Sequence, residues 1–384
     1  MKIRLKRDVL ADAVQWAARS LPQRPSVPIL AGMLLKADNG GVTLSSFDYE
    51  TSAKINVEGT VNDEGQVLVS GRLLADICRA LPNKEVEIDA DHQRMELTCG
   101  SARFTLQALP VDDYPSLPDM PDETGTVTSA QFAQAVGQVV VAAGRDELLP
   151  VFTGVRMEIE GDTLSLLATD RYRMALKEIT WNPGSSAASS NALIPAKVLS
   201  DTAKSMTSGD QIHLSLAATS AGDGLIGFEG DGPGGVRQTT TRLLDGEFPK
   251  VRHIMNMQPA LNVRINTNEI VAAAKRVALV AERNTSIRMG IEDGSVTLSA
   301  ATGDQAQASE ALEAITEHVT ENEMVAAGFN PTYLLDALSV FTTPYVRFSF
   351  TAPGKPCLIT GLQQIDGEPE TDYRHVIMLM RLPG

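Results

Sequence analysis

The chain has little of what metal-dependent, redox and membrane proteins require. Its three cysteines, Cys78, Cys99 and Cys357, are scattered without a CxxC pair, which is typical of buried structural thiols. Aromatic residues make up only 5% of the sequence, so an aromatic platform for stacking bases is not expected. No apolar run reaches the roughly 18 residues of a membrane-spanning helix, and the N-terminal segment lacks the apolar core of a signal peptide. We therefore expect a cytoplasmic protein with no membrane partner.

Residue patterns for catalysis and cofactor binding are also missing. The five histidines do not stand at ligand spacing. The glycine-rich segment 230–235 precedes no helix pattern, so it predicts a hairpin loop and not a phosphate-binding loop. Asp112, Asp113 and Asp170 fall at predicted turns, where aspartate commonly accepts backbone hydrogen bonds. The sequence therefore predicts no enzyme activity, no metal and no cofactor. A repeat-built hydrolase with acids at its domain junctions is the alternative.

Six amphipathic helix patterns are the main positive feature. Strand patterns separated by glycine-containing turns flank each of them. Apolar residues recur at helical spacing, about every 65 residues along the chain, from Leu10, Leu74, Phe132, Leu199, Ile270 and Leu334. We therefore predict an α+β protein of three tandem domains, 1–121, 122–256 and 257–384. Each domain would consist of two sheet-and-helix half-units related by a pseudo-twofold axis.

Charge is divided unevenly between these helices and the rest of the chain. The formal net charge is −15, yet basic residues recur on the polar faces of the helix patterns. A helix lays its single apolar stripe on its own sheet and leaves the opposite face to solvent. Helices that share one concave surface would present cations to a polyanion without reading its sequence. Mixed surface charge on short helices is the alternative.

The width of a helix determines how many helices, and therefore how many chains, such a concave surface needs. Six helices of about 10 Å each, side by side, would enclose a bore of about 10 Å, too narrow for duplex DNA roughly 20 Å across. Twelve helices would leave a bore of roughly 28 Å. The sequence therefore predicts a homodimeric ring around duplex DNA, with helices on its inner face and two identical joints. A scaffold that binds only proteins is the remaining alternative.

The segment 166–176 predicts a hairpin that serves a partner. A buried strand pattern leads into a Thr-Asp turn, and a second strand pattern returns with Arg171 and Arg173 two residues apart. Strand side chains alternate between faces, so we expect these arginines on one face and Tyr172 and Met174 on the other. An ordinary arginine-bearing surface hairpin is the alternative.

Four short segments complete a pattern that covers the whole chain. They are 21–30 (LPQRPSVPIL), 168–174 (ATDRYRM), 245–249 (DGEFP) and 378–382 (MLMRL). Together with the three tandem domains, they resemble the bacterial sliding-clamp family, the β subunits of the replicative DNA polymerase III holoenzyme. The resemblance implies a non-catalytic processivity factor in DNA replication, a ring that tethers the polymerase to DNA. It also implies that a separate ATP-driven loader opens the ring.

The resemblance further implies a pocket in the second domain for short clamp-binding peptides. Its partners would be the polymerase III α subunit, clamp-loader subunits, other polymerases and repair proteins. A methionine-rich lining suits several peptides, and Arg173 would meet the polar or acidic part of a peptide. By position, the lining would comprise Phe152, Thr169, Arg171, Tyr172, Arg173, Met174, Pro249, His253, Ile254, Pro356, Val376, Ile377, Met378, Leu379, Met380, Arg381 and Leu382.

The chain departs from the family pattern at three places that bear on peptide preference. Arg171-Tyr172 stands where other clamps often have Gly-His. His253 stands where some members have arginine. Pro383-Gly384 extends past the usual Arg-Leu end.

The resemblance also assigns the joint and the DNA contacts. The first domain of one chain would meet the third domain of the other, with Phe104 and Leu106 facing Ala278 and Leu279. Ordinary core packing is the alternative for Phe104 and Leu106.

The family places an arginine after the first helix against the duplex. The candidate DNA-contacting residues are Arg24, Arg72, Arg79, Lys197, Lys275 and Arg276.

Overall fold

The computed structural model of the protein describes residues 1–184, 189–217, 224–282, 285–321 and 324–382. Pro383 and Gly384, the extension noted in the sequence, lie outside these residues. The chain packs into two compact units. Unit 1 comprises Met1–Ala133, Glu160–Asp162 and Thr180–Leu243, and unit 2 comprises Gln134–Ile159, Thr163–Ile179 and Leu244–Gly384.

All six predicted helices are present. They are α1 (Arg7–Ala17), α2 (Gly71–Ala80), α3 (Ser129–Val140), α4 (Ala196–Ser205), α5 (Thr267–Val277) and α6 (Pro331–Leu338). The apolar stripe of each helix supplies most of its buried side chains, and a few polar ones such as Gln138, Ser205 and Thr267 are buried with them. Asparagine begins two of them: Asn266 Oδ1 accepts the Glu269 N–H at 3.2 Å, and Asn330 Oδ1 accepts the Tyr333 N–H at 3.1 Å.

Strands fill most of the chain between these helices. The first part forms β1 (Lys2–Leu5), β2 (Gly32–Asp38), β3 (Gly41–Phe47), β4 (Thr51–Val57), β5 (Thr60–Asp63), β6 (Gly65–Ser70), β7 (Val86–Ala90), β8 (Arg94–Cys99) and β9 (Ala102–Gln107). The middle part forms β10 (Gly125–Thr128), β11 (Gly154–Glu160), β12 (Thr163–Thr169), β13 (Arg173–Thr180), β14 (Asn182–Pro183), β15 (Ser190–Pro195), β16 (Gln211–Ala217), β17 (Leu225–Gly232) and β18 (Gly235–Arg242). The last part forms β19 (Leu261–Asn266), β20 (Ile287–Glu292), β21 (Ser295–Thr302), β22 (Ala306–Glu313), β23 (Ile315–His318), β24 (Ala326–Phe329), β25 (Tyr345–Phe350), β26 (Cys357–Leu362) and β27 (Tyr373–Ile377).

Unit 1 contains two open sheets. One runs in the order β5-β1-β7-β8-β9 and the other in the order β14-β10-β16-β17-β18-β4-β3-β2-β6. The predicted glycine-rich loop joins β17 to β18 as a hairpin, which confirms that prediction. Helices α1 and α2 lie side by side, and Gln15 Nε2 donates to Ala75 O at 2.7 Å. In the second sheet, β18 pairs with β4 and aligns Thr241 with Thr51.

Unit 2 also contains two open sheets. One includes the order β11-β12-β13-β27-β26-β25-β19-β23, and the other runs β22-β21-β20-β24. The last strand, β27, lies between β13 and β26 and pairs its Ile377 with Arg173 on one side and Cys357 on the other. Helices α5 and α6 pack against each other. The hairpin β12–β13 and the C-terminal strand β27 are therefore neighbours. The helices and sheets of the two units together confirm the predicted α+β class.

Candidate functional site

A tight turn at Asp170, Arg171 and Tyr172 closes the hairpin between β12 and β13. Asp170 Oδ1 accepts the N–H groups of Tyr172 and Arg173, each at 3.0 Å, which confirms its predicted role as a turn acceptor. Arg171 has a φ of 81°, uncommon for a residue with a side chain. It therefore belongs to the turn, and β13 begins only at Arg173. The prediction that the two arginines share a strand face is wrong, because strand alternation does not extend back to Arg171.

Arg173 is a buried ion-pair residue, only 6% exposed. Its Nε donates to Asp170 Oδ2 at 3.0 Å and its Nη1 to Asp336 Oδ2 at 2.5 Å. Its guanidinium lies 4.4 Å from the centroid of the Tyr333 ring, within the range of a cation–π contact. Two carboxylates already neutralise this charge. Arg173 thus ties the hairpin to α6, and its contact with the polar or acidic part of a peptide stays a prediction.

An exposed aromatic surface lies beside this ion pair. Tyr172 is 53% exposed, and its ring stacks on Tyr333 with centroids 6.4 Å apart. The Arg171 guanidinium lies 5.5 Å from the centroid of Phe152 and 5.8 Å from that of Tyr172. Arginine and aromatic side chains in this arrangement offer flat, apolar area with a polar rim.

The C-terminal tail continues this surface. Beyond β27, the Met378 N–H donates to Tyr172 O at 2.8 Å, and the Met380 N–H donates to Gly328 O at 2.8 Å. A Cβ at Gly328 would lie 2.9 Å from Met380 O, so a larger residue would displace the tail. Met378 is 38% exposed. The other predicted tail residues are also at least partly exposed: Leu379, Met380, Arg381 and Leu382.

A 3-10 helix at Arg252–Asn256 holds the exposed His253. Arg252 fixes this helix through bonds to Glu178 Oε1 at 2.8 Å and Glu158 Oε2 at 2.7 Å. Partial burial opposes ionisation of Glu158, but hydrogen bonds from two arginines bring its pKa below the usual value. The remaining predicted residues around the surface are partly exposed: Pro249, Ile254 and Pro356.

Part of the predicted lining lies in the core instead of at the surface. These residues are Thr169, Arg173, Met174, Val376 and Ile377. They hold the hairpin and β27 together, so they support the exposed residues and offer little surface themselves.

Sequence reasoning missed the polar residues beneath this surface, Tyr333, Asp336 and His375. The Tyr373 hydroxyl donates to Gln138 O at 3.0 Å and lies 2.9 Å from His375 Nδ1. Burial, together with the charge of Arg173, lowers the pKa of His375 to about 3, so the imidazole is neutral. No local signal links these positions to the hairpin, since Asp336 is 163 residues from Arg173.

The six candidate DNA-contacting cations are all exposed. Arg24 lies in the loop after α1, and Lys275 lies on α5. The other four each bond to a neighbour: Arg72 to Pro22 O at 3.0 Å, Arg79 to Gln15 Oε1 at 2.9 Å, Lys197 to Asp201 Oδ2 at 3.1 Å, and Arg276 to Glu310 at 2.5 and 2.9 Å. Exposed pairs of this kind are weak, so such cations can exchange a partner for a phosphate.

The candidate joint residues lie near two sheet edges. In unit 1, β9 is an edge strand on which Phe104 is partly exposed and Leu106 is buried. In unit 2, Leu279 is 84% exposed in the 3-10 helix Ala278–Val280, which packs against the edge strand β22. Leu106 is therefore packed in the core of unit 1, whereas Leu279 exposes its apolar side chain to solvent.

Other features of the chain bear on catalysis and membranes. Cys78, Cys99 and Cys357 are buried free thiols, as the sequence predicts, and burial raises the pKa of Cys78 to about 12. In the ranges that the structure describes, no group of three or more His, Cys, Asp or Glu side chains is placed to hold a metal ion. Within those same ranges, no helix combines the length and apolar character needed to cross a membrane.

Three family models match the chain in tandem. They describe the N-terminal, central and C-terminal domains of the DNA polymerase III beta subunit, over residues 1–118, 126–250 and 253–381. A beta sliding clamp of Streptomyces coelicolor is 54% identical over 384 residues, covering all of both chains. One of Micrococcus luteus is 49% identical over 317 residues, covering 83% of this chain and 100% of its own length.

More distant relatives also match the chain from end to end. The beta sliding clamp of Escherichia coli K12 is 26% identical over the full length of both chains. The crystal structure of the DNA polymerase sliding clamp from Bacillus subtilis superposes with a TM-score of 0.88 at 25% identity, again covering 100% of each chain.

Proposed function

The chain belongs to the DNA polymerase III beta subunit family, the beta sliding clamps, and from this premise we propose that two copies close into a ring around duplex DNA. As a member of this family, the chain is a processivity subunit without catalytic activity of its own. The full-length match to three clamp domains carries the proposal. A ring holds DNA by topology, so tight or sequence-specific contact is unnecessary, which suits a chain of net charge −15 with few aromatic residues.

We infer that the duplex meets a sparse set of exposed cations. Arg24 and Lys275 are the first candidates, because both are exposed long side chains on or beside helices. Arg72, Arg79, Lys197 and Arg276 would add phosphate contacts by releasing their present partners. These contacts are with the backbone of DNA and carry no sequence information.

The joint would pair unit 1 of one copy with unit 2 of the other. Edge strands leave backbone groups ready for pairing with another chain, and β9 and β22 are such edges among the described residues. Leu279, beside β22, would be covered by the partner copy at Phe104. Two such identical contacts would close a twofold ring.

The exposed surface of unit 2 around Tyr172 and Met378 would bind short peptides from partner proteins. It combines stacked aromatic rings, an adaptable methionine and the Arg171 guanidinium. The partners would be the polymerase III α subunit, clamp-loader subunits, other polymerases and repair proteins.

We also propose domain boundaries at 121/122 and 256/257, and a cytoplasmic location, where the chromosome is replicated.

Retention on circular DNA tests the ring. The chain would be loaded onto nicked circular plasmid by its own clamp loader, and the plasmid would then be cut once with a restriction enzyme. A topological ring stays on the circle through a wash at high salt and leaves after cutting. A chain that stays on linear DNA, or that never resists the wash, would contradict the proposal. Neither a hydrolase nor a protein-only scaffold would show retention that depends on circularity.

A further inference from the structure

A row of polar side chains crosses the large sheet of unit 2. Arg264 of β19 pairs with Arg347 of β25, and Arg347 pairs in turn with Thr360 of β26. The register of β26 with β27 puts Thr360 opposite Arg374. Residues that are directly opposite on neighbouring strands point their side chains to the same face of a sheet, about 5 Å apart. These four side chains therefore stand next to one another on one face.

Three atoms of this row are buried without a hydrogen-bond partner. Among the described residues, Arg347 Nε, Thr360 Oγ1 and Arg374 Nε each lack one, and they lie on the adjacent strands β25, β26 and β27. The described residues contain eight such atoms, so three in one row is a local concentration. Thr360 is only 3% exposed. An Nε–H group can only donate and a hydroxyl can donate as well, so one acceptor would satisfy all three.

The row also carries more positive charge than its bonded carboxylates balance. Arg264 donates to Glu317 Oε2 at 3.4 Å, and Arg374 donates to Glu178 Oε2 at 2.9 Å. In the part of the chain that the structure describes, the Arg347 side chain forms no ion pair and no hydrogen bond. Burial of its guanidinium, and next the charge of Arg264, lower the pKa of Arg347 below the usual arginine value. A bound anion would relieve both effects.

The loop after β26 borders the row and fixes one of its members. Arg264 Nη1 donates to Ile365 O at 3.1 Å and to Gly367 O at 2.9 Å. Glu368 of the same loop is exposed, and among the described residues it acts on Arg347 through its charge without forming an ion pair. Solvent screens an exposed charge of this kind. The loop thus leaves the Arg347 guanidinium available to a ligand.

We propose that Arg347, Thr360 and Arg374 form a binding site for a phosphate group. Neighbouring strands lie about 4.8 Å apart, so the two arginines face each other across Thr360 with their Cα atoms roughly 10 Å apart. A phosphate has oxygens on all sides and can accept from both guanidinium groups, whereas a carboxylate has both of its oxygens on one side. Arginine binds phosphate through parallel N–H groups, for which each Nε–H is free.

This site is separate from the surface proposed to bind peptides. Arg374 lies four residues before Met378 along the chain, a distance of roughly 13 Å in an extended strand. Inorganic phosphate and the phosphate of a nucleotide share the chemistry that the row recognises. Both are therefore used as probes.

NMR of the arginine Nε–H groups of the full chain tests the site directly, because a buried N–H exchanges slowly with water and gives its own signal. Arg347→Lys and Arg374→Lys identify the two signals by their loss. Titration with inorganic phosphate, at an ionic strength held constant with chloride, should shift both signals saturably. Acetate, the carboxylate probe, should bind at least tenfold more weakly.

Thymidine monophosphate distinguishes the two sources of phosphate. Saturable shifts with inorganic phosphate alone support a site for the free ion, and shifts with both probes support one that also takes a nucleotide. Absence of a saturable shift with either probe overturns the site, since water then serves these donors. An equal response to acetate and phosphate overturns the assignment to phosphate.

Thr360→Val is the sharpest variant, because valine keeps the branched shape and suits a strand. It removes a hydroxyl that bonds to nothing in the protein, so the urea midpoint without phosphate should be unchanged or higher. Phosphate affinity should nevertheless fall about tenfold, as loss of a hydrogen bond to a charged group allows.

Arg347→Lys separates a built site from simple attraction between charges. Lysine keeps the charge but cannot donate two parallel N–H groups, so phosphate affinity, followed at the Arg374 signal, should fall about tenfold. Arg288→Lys, an exposed arginine of β20 in the other sheet of unit 2, is the matched control and should leave affinity unchanged. Affinity that neither Thr360→Val nor Arg347→Lys reduces overturns the site.

Discussion

Arg173 of β13 and Asp336 of α6 form an ion pair of 2.5 Å between residues 163 positions apart. Asp170, in the adjacent turn, binds the same guanidinium at 3.0 Å. The hairpin that carries Tyr172 is therefore fixed by a helix from the far end of the chain as well as by β27. This arrangement gives the exposed aromatic surface a rigid base, which lowers the entropy lost when a flexible peptide docks on it.

Replacement of Arg173 by alanine should destabilise unit 2 substantially. The change leaves the Asp170 and Asp336 carboxylates without their cation, and such losses cost about 3 kcal/mol at buried pairs. Urea unfolding of the full chain measures the difference. Arg381→Ala, an exposed tail residue, is the control and should change stability by less than about 0.5 kcal/mol. Equal midpoints for the two variants would contradict the structural role given to Arg173.

Much of the fold could be predicted from the sequence because it depends on local patterns. The apolar stripes of α1 to α6 and the glycine-bearing turns each specify an element within about fifteen residues. The turn at Arg171 was misplaced, since a positive φ on a non-glycine residue comes from the bonds of Asp170 and has no local signature. The Asp336 partner of Arg173 was missed for a different reason: nothing near either residue shows a contact over so long a separation. Burial of Leu106 likewise depends on packing that alternation alone does not decide.

Met378→Ala should weaken peptide binding at the unit 2 surface. Met378 is the partly exposed residue next to Tyr172, and truncation of such an anchor costs about 1–2 kcal/mol of binding free energy. Fluorescence anisotropy with a labelled peptide from the α subunit of its own polymerase measures the dissociation constant. Val319→Ala removes a similarly exposed apolar side chain just after β23, which lies far along the same sheet order, and should leave affinity unchanged. Unchanged affinity for both variants would reject the placement of the site.

Leu279→Asp should convert the proposed dimer to monomers. The substitution puts a charge where we infer that a partner copy covers an apolar side chain, and a buried unpaired charge costs several kcal/mol. Sedimentation equilibrium gives the mass directly. Leu148→Asp, which also changes an exposed leucine of unit 2, is the matched control and should stay dimeric. Persistence of the dimer in Leu279→Asp would place the joint elsewhere.

Reversal of the charge at Arg24 and Lys275 should weaken association with DNA and leave the joint between the two copies unaffected. The double variant Arg24→Glu, Lys275→Glu removes two proposed phosphate contacts, so the salt dependence of loading should fall by about one unit of slope for each contact. Loading rates onto nicked plasmid at several salt concentrations measure this slope. Lys355→Glu, an exposed lysine in the β25–β26 turn, should leave the slope unchanged. A double variant with the slope of the unmodified chain would show that these residues do not face DNA.

His375 should make stability depend on pH in a defined window. Burial, with a contribution from Arg173, lowers its pKa from the ordinary 6.5 to about 3, so between these values the unfolded chain binds a proton that the folded chain does not. The contribution of this residue to the free energy of unfolding is therefore fully present above pH 6.5. It is lost as the pH falls toward 3, by at most about 1.4 kcal/mol per pH unit. His375→Gln removes that titration, so its unfolding free energy should vary less with pH than that of the unmodified chain, even if the variant is less stable throughout. Urea unfolding at steps from pH 7 to pH 4 gives both curves, with His253→Gln, an exposed histidine of the same unit, expected to keep the steeper dependence. Parallel curves for His375→Gln and the unmodified chain would mean that the imidazole binds its proton alike in the folded and the unfolded chain, and the neutral Tyr373–His375 pair beneath the hairpin would have to be abandoned.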